Sequence, residues 1–143
     1  MFMGEFHHTV DDKGRLFVPQ PLRQGLGEGF VVTRGLDRSL FLFPAAAWEQ
    51  LAERLRALPL GRGEARSVVR FLFSGAQVGE VDGKGRLLLA AHLRQHAGMD
   101  REAVWLGVGE RVELWSAEAW AAYAAMARGD FERMAEALVD AGL

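Results

Sequence analysis

The chain of 143 residues contains no cysteine, which excludes disulfides, cysteine-ligated zinc sites and thiol nucleophiles. It also lacks any run of roughly 18 consecutive apolar residues, the length that a membrane-spanning helix requires. Its first residues, Met1 to His8, have neither the basic start nor the apolar core of a signal peptide. We therefore expect a cytoplasmic protein that has no membrane partner.

An excess of positive charge is missing as well. The 17 Lys and Arg residues are balanced by 19 Asp and Glu residues, which gives a formal net charge of -2. No global positive field indicates a nucleic-acid partner, so any contact with DNA must be local. Half of the residues are hydrophobic, which suffices for a core in a chain of this length.

What the sequence does contain is an internal repeat. The segment Asp11-Asp-Lys-Gly-Arg-Leu16 recurs as Asp82-Gly-Lys-Gly-Arg-Leu87, an offset of 71 residues (82 − 11). Further matches keep this offset or, after one inserted residue, an offset of 72: Leu22-Arg23-Gln24 with Leu93-Arg94-Gln95, and Trp48 with Trp120. So many matches in one register indicate a duplicated unit.

The first half predicts a β-hairpin, a short helix, two further strands and a longer helix. The hairpin consists of strand 5–10, a tight turn at 11–14 and a returning strand 16–18. Pro19 and Pro21 open the short helix, which ends near Leu26. The last three elements are strands 30–33 and 40–43 and an amphipathic helix from Pro44 to Leu58.

The second half predicts the same order of elements. These are a strand 77–81, a turn 82–85, a helix 91–97, β runs near 104 and 112–115, a helix that Ser116 caps, and a separate amphipathic tail helix 131–138. A helix at about 64–73 joins the halves, so we divide the chain into residues 1–63 and 64–143. Halves this small would be marginal alone, and we expect one shared core about a pseudo-twofold axis.

The doubled Asp-x-x-x-Arg turns, together with Leu93 to Gly98 and Glu113 to Trp115, resemble the MraZ family over essentially the whole chain. This family is a duplicated branch of the SpoVT/AbrB swapped-hairpin superfamily. The resemblance implies an α+β fold, a pseudo-twofold AbrB-like swapped-hairpin β-barrel with peripheral helices. It also implies a ring-shaped homo-oligomer and binding to short G-rich direct repeats in double-stranded DNA. The implied target is the division and cell-wall gene cluster that includes the regulator's own gene, which would place the protein at the nucleoid.

One departure from the family pattern lies at the start of the second short helix. The first half has Pro19 there, whereas the second half has alanine at the corresponding positions 90 and 91. We expect a looser junction at this point. The residues of the turn motif itself are unchanged.

Four basic residues of the turns are the predicted DNA contacts. Arg15 and Arg86 leave the hairpin tips, where a guanidinium can donate two hydrogen bonds to guanine O6 and N7. Lys13 and Lys84 are compact cations suited to phosphate attraction, which positions a protein without reading sequence.

The acidic residues and glycines of the same turns are assigned a shaping role. Asp11 and Asp82 can accept backbone N–H groups in an Asx turn or brace the arginine side chains. Gly14 and Gly85 make the chain reversal.

Arg23 and Arg94 recur too, but they lie on the short helices. A salt bridge, within the chain or between subunits, is as plausible for them as a DNA contact, so we leave them outside the core site.

Two other functional classes compete with a DNA-binding regulator. The first is an antitoxin-like or scaffold interaction module, since a C-terminal helix can dock a partner, although the complete second motif argues against it. The second is an enzyme, for which we find no nucleophile, catalytic residue, cofactor loop or small-molecule site. His92 and His96 have helical spacing for a metal, but no third ligand completes the set, so we expect neither metal nor cofactor.

Overall fold

Eight strands and five helices make up the computed structural model, which describes all 143 residues. As predicted, the chain is a mixed α+β protein. Its elements are β1 (Glu5–Thr9), β2 (Arg15–Phe17), α1 (Gln20–Leu26), β3 (Val31–Arg34), β4 (Leu40–Phe43), α2 (Ala45–Arg56), α3 (Gly63–Gly75), β5 (Gln77–Val78), β6 (Arg86–Leu88), α4 (Ala91–His96), β7 (Glu102–Gly107), β8 (Val112–Ser116) and α5 (Ala117–Ala137), followed by a 3-10 turn (Val139–Ala141).

The main sheet is antiparallel and has the strand order β1-β7-β8-β4-β3-β5. Its edge strands are exchanged between the repeats, because β1 pairs with β7 and β5 pairs with β3. The ladder between β4 and β8 joins the two repeats at the centre. These ladders do not close into a barrel, so the barrel of the expected fold class stays a prediction, as does the division at residues 63 and 64.

The predicted local hairpins are wrong in their strand pairing. The chain does reverse at the first turn, where the N–H of Asp11 donates to the carbonyl of Arg15 at 2.8 Å. However, β1 pairs with β7, and β2 forms a separate two-stranded sheet with β6. The second turn closes in the same way, with the N–H of Asp82 donating to the carbonyl of Arg86 at 2.9 Å, but its flanking strands share only the bridge between Val81 and Leu87. An isolated hairpin is marginally stable, and the exchange brings apolar side chains of both repeats together.

The main core lies between the two sheets. Alternate residues of the six-stranded sheet point inward, among them Leu40 and Leu42 of β4, and the strands of the small sheet contribute Leu16 and Leu87. Leu22 of α1 and Leu93 of α4 complete it. On the outer face of the large sheet, a smaller cluster (Val104, Leu106 and Trp115) is covered by Trp120 at the start of α5.

The helix termini follow the sequence with one exception. The hydroxyl of Ser116 accepts a hydrogen bond from the N–H of Ala119 at 3.1 Å, which confirms the predicted cap of α5. The separate tail helix at 131–138 is wrong, because α5 runs unbroken to Ala137. Gly129 lowers helix propensity there but leaves every backbone hydrogen bond available, so the helix continues.

The alanine junction of the second repeat has the same backbone conformation as the proline junction of the first. Pro19 has φ −55° and ψ 134°, and Ala90 has φ −59° and ψ 146°. The N–H of Ala90, which a proline would lack, donates to Oε1 of Gln77 at 2.9 Å. In place of a proline ring, this hydrogen bond fixes the junction.

None of the helices has the length and apolar character that a bilayer crossing demands.

Adjacent leucines of β6 give a matched test of the strand exchange. Leu87 is fully buried between the sheets, whereas Leu88 is 56% exposed. We expect Leu87→Ala to lower the free energy of unfolding by about 2–5 kcal/mol, because it leaves a cavity in the core. Leu88→Ala should change it by less than about 0.5 kcal/mol. Urea denaturation of both variants measures the difference, and equal losses would contradict the pairing of β2 with β6.

Candidate nucleic-acid interface

Each turn motif is a closed hydrogen-bonded unit built around its aspartate. Oδ1 of Asp11 accepts the backbone N–H groups of Lys13 and Arg15, both at 2.9 Å. Oδ2 of Asp11 accepts Nε–H of Arg15 at 2.8 Å. The aspartate therefore shapes the turn and braces the arginine at the same time, where the sequence left these two roles as alternatives.

The second turn repeats this geometry. Oδ1 of Asp82 accepts the N–H groups of Lys84 and Arg86, and Oδ2 accepts Nε–H of Arg86, all at 2.9 Å. Gly14 and Gly85 share a φ of +81°, a region that side chains rarely adopt. Two copies of one sequence motif thus fold into two copies of one local structure.

The hydrogen bonds keep both carboxylates ionised. The backbone N–H of Arg15, the strongest influence on Asp11, lowers the pKa of this carboxyl below its usual value, against a smaller opposing effect of desolvation. The backbone N–H of Arg86 lowers the pKa of Asp82 in the same way. Charged aspartates then hold both guanidinium groups in a fixed orientation.

The structure brings the two motifs together on one two-stranded ribbon, β2 paired with β6. Arg15 lies opposite Leu88, and Phe17 lies opposite Arg86. Nη1 of Arg86 is 3.9 Å from Oδ2 of Asp11, so the acidic group of one turn also faces the arginine of the other. The half-buried arginines therefore belong to one continuous surface.

Lys13 and Lys84 lie at the outer ends of this ribbon. Both side chains are exposed, and neither forms an ion pair within the chain. Their ammonium groups are free to meet an anion from solution.

Arg23 and Arg94 lie closer to the turns than the sequence indicated. A Cβ built on Gly14 would overlap the guanidinium of Arg94, and one built on Gly85 would overlap that of Arg23. Each arginine therefore packs over the turn of the other repeat. The salt bridge within the chain that we considered for them is absent, and Nε of Arg94 is buried without a hydrogen-bond partner.

Two apolar residues of the ribbon were missed in the sequence analysis. Phe17 and Leu88 are exposed between the arginines, while Leu16 and Leu87 beside them are buried. The alternation of side chains along a strand would have placed both on the outer face.

Taken together, the two turns with Arg23 and Arg94 carry six basic and three acidic side chains. The ribbon is thus a locally positive surface on a chain of net charge -2.

The histidines discounted as metal ligands contact different backbone groups. Nε2 of His92 lies 3.0 Å from the carbonyl oxygen of Gly75, and Nε2 of His96 lies 3.2 Å from that of Gly35. No three His, Asp or Glu side chains come together as a metal cluster.

Two glycines of the second turn form a matched pair for testing its geometry. Gly85 combines a positive φ with the close approach of Arg23, whereas a Cβ on Gly83 would meet nothing within 4 Å. We expect Gly85→Ala to lower the free energy of unfolding by about 1–2 kcal/mol or more and Gly83→Ala to leave it nearly unchanged. Thermal unfolding of the two variants measures this, and similar losses would contradict the turn geometry.

The lowered pKa values of Asp11 and Asp82 predict a dependence of stability on pH. Because the folded state holds these protons more weakly, the stabilisation is present above the ordinary aspartate pKa and is lost as the pH falls through the lower folded value. We expect a double Asp11→Asn, Asp82→Asn variant to be less stable than the wild type at neutral pH, with a difference that shrinks below about pH 4. Urea titrations down to about pH 2 measure it, with Asp12→Asn as the control. A difference that stays constant across this range would exclude the carboxylates as its source.

Comparison with known proteins places this chain in a family. A family described as "MraZ protein, putative antitoxin-like" matches residues 1–71 and again residues 72–141. A protein of Heliobacterium modesticaldum is 51% identical over 140 residues, which cover 98% of each chain. Proteins of Desulfitobacterium hafniense (51% identical over 143 residues, 100% of each chain) and Moorella thermoacetica (49% identical over 140 residues, 98% of each chain) are similarly close. All three relatives are named "Transcriptional regulator MraZ". The two matched ranges each contain one Asp-x-x-x-Arg turn, and the chain belongs to the MraZ family.

Proposed function

We propose that this protein is a transcriptional regulator and that it binds double-stranded DNA in a sequence-specific manner through the β2–β6 ribbon. The observation that carries the proposal is the pairing of the two motif strands, which puts Arg15 and Arg86 on one narrow surface. A two-stranded ribbon has the dimensions to enter the major groove. The names of the relatives, which share the whole length of the chain, support the regulatory role.

Arg15 and Arg86 are the base-reading residues of the proposal. In each of them Nε–H donates to an aspartate, and the two terminal nitrogens form no hydrogen bond within the chain. Two parallel donors fit the O6 and N7 acceptors of guanine, and the bound aspartate reduces the side-chain entropy lost on binding. The geometry thus suits the G-rich sites that the family resemblance implies.

Lys13 and Lys84 attract phosphates at the two ends of the ribbon. Arg23 and Arg94, each packed against the turn of the other repeat, add positive charge to the same surface. Phosphate contacts of this kind position a protein on the duplex and give binding its salt dependence.

Because one ribbon offers few contacts, a single site binds weakly, and linked copies gain affinity through effective concentration. This reasoning supports the ring-shaped homo-oligomer on tandem direct repeats that the resemblance implies. The same resemblance supplies the target, the division and cell-wall gene cluster that includes the gene of the regulator, and with it a nucleoid location. The exchanged strands β1 and β5 support a swapped-hairpin relation between the repeats.

A purely protein-binding role, as in an antitoxin, is the second candidate, and the family description includes the word antitoxin-like. An antitoxin of the superfamily usually carries one hairpin half followed by a mostly disordered toxin-binding tail, whereas here the second repeat completes the sheet through β7 and β8. The names of the relatives and the duplicated ribbon favour a regulator over both an interaction module and an enzyme.

Binding to DNA from upstream of the protein's own gene tests the ribbon. We expect the double variant Arg15→Ala, Arg86→Ala to lose specific binding, because each bidentate contact to guanine is worth about 1–3 kcal/mol. The double variant Lys13→Ala, Lys84→Ala should weaken binding to all sequences and flatten the dependence of affinity on salt by about one unit of slope per lysine. Fluorescence anisotropy across a salt series measures both effects.

Arg62→Ala, at an exposed site outside the ribbon, is the control for loss of an arginine, and thermal unfolding shows that each variant is folded. Unchanged specificity in the folded arginine variant would overturn the assignment of Arg15 and Arg86. An absence of DNA binding by the wild type would favour the interaction module.

A further inference from the structure

An apolar cleft of about 840 Å³ lies on the outer face of the large sheet, between α2 and α3. Phe41 and Phe43 of β4 form its floor, Leu51 and Leu55 of α2 one wall, and Val68, Phe71 and Leu72 of α3 the other. Phe71 is 62% exposed, although it is one of the largest apolar side chains of the molecule. A contiguous apolar surface of this kind marks a site of interaction.

The cleft is held open by contacts that anchor the end of α3 to the sheet. The hydroxyl of Thr33 donates to the carbonyl of Leu72 at 2.6 Å, and Nη1 of Arg34 donates to that of Phe71 at 2.9 Å. The guanidinium of Arg34 also lies 4.9 Å from the centre of the Phe71 ring. The site is therefore preformed, and a groove between two helices over an aromatic floor suits an amphipathic helix.

The chain itself carries such a helix in an unpartnered form. The first turns of α5 pack on the sheet through Trp120, whose ring lies 5.3 Å from that of Trp115. Beyond Ala124 no residue of α5 is buried. Apolar residues nevertheless continue along one face at spacings of four, four, three and four, as Tyr123, Ala127, Phe131, Met134 and Leu138. Phe131 is 67% exposed and Leu138 52% exposed.

Comparison of the two repeats shows what this face lacks. Trp48 of α2 contacts Phe73 of α3, with the ring centres 5.6 Å apart. Trp120, its counterpart in α5, stacks instead on Tyr123 of the same helix, at 5.9 Å. A second helix thus covers α2 in the first repeat, and the corresponding helix of the second repeat has no such cover.

The charges of the two surfaces are complementary. Arg34, Arg54 and Arg111 border the cleft, which has no acidic lining residue, and of these Arg111 is paired with Glu113 at 2.7 Å. Arg54 forms no ion pair within the chain. Residues 126–143 carry four acidic side chains against two basic ones, and one of the basic residues, Arg133, is already paired with Asp130 at 2.6 Å. An acidic amphipathic helix is the occupant that a basic-rimmed apolar groove favours.

We propose that the apolar stripe from Tyr123 of α5 to Leu138, the residue that follows the helix, docks into the α2–α3 cleft of a second copy of the chain. Each copy then donates a helix at one surface and accepts a helix at another, which is a heterologous contact that closes into a ring or continues as a filament. The inference rests on the self-association in the proposed function and does not depend on DNA binding.

Because the chain has no cysteine, introduced thiols report the contact directly. We expect a chain with both Val68→Cys and Phe131→Cys to form a ladder of disulfide-linked multimers under mild oxidation. A mixture of the two single variants should give linked dimers only, and each single variant alone should stay unlinked. A chain with Val68→Cys and Met3→Cys is the matched control, because Met3 is 69% exposed but lies outside both surfaces.

A second variant separates assembly from folding and from DNA binding. Phe131→Glu should reduce the particle size measured by light scattering and keep the thermal unfolding transition. It should also lose the preference for tandem over single G-rich boxes while still binding a single box.

An assembled wild type whose paired cysteines do not link, or a Phe131→Cys variant that links to itself, would overturn the interface and leave the proposed regulator intact. An assembled Phe131→Glu variant would likewise overturn the interface and leave the proposed regulator intact. A monomeric wild type would overturn both the interface and the ring, and single-box binding would then decide separately whether the ribbon reads DNA.

Discussion

The ladder between β2 and β6 is the interaction on which both the core and the candidate site depend. Its inner side chains, Leu16 and Leu87, are buried in the core between the two sheets. Its outer side chains include Arg15 and Arg86, so the burial of one face fixes the presentation of the other. A shift of the register by one residue would bury the arginines and expose the leucines. Burial of the leucines in the hydrophobic core therefore fixes the face on which the arginines lie.

The local features of the site follow from the sequence, and the pairing of its parts does not. The spacing from Asp11 to Arg15 and the glycine before the arginine predict a tight turn, because these hydrogen bonds span at most four residues. Strand partners are a different matter, since alternation of apolar residues specifies which face is buried but not which strand lies alongside. The sequence therefore predicts β1 and its turn, while the pairing of Phe6 with Trp105 emerges only from the folded chain.

The same distinction explains the residues whose role changed. Arg23 matches Arg94 in the repeat, yet nothing in the sequence around either indicates that each lies over the glycine turn of the other half. The net charge of the chain does not indicate the positive ribbon either, because it averages the ribbon with acidic residues elsewhere on the chain. The predicted break before the tail helix was wrong for a simpler reason. One glycine lowers helix stability by only about 1 kcal/mol, so α5 continues through Gly129.

The exchange of edge strands has a consequence for synthesis on the ribosome. β1 emerges first, but its partner β7 begins only at Glu102, and β2 waits for β6 at Arg86. Until then the nascent first repeat presents unpaired strand edges and the apolar face of β4, surfaces that invite association with other chains. Translation of the second repeat is thus a condition for folding of the first, and a truncated product ending before β6 contains neither a complete core nor a ribbon. Within one chain, the ribbon and the completed core therefore form only after most of the polypeptide has been made.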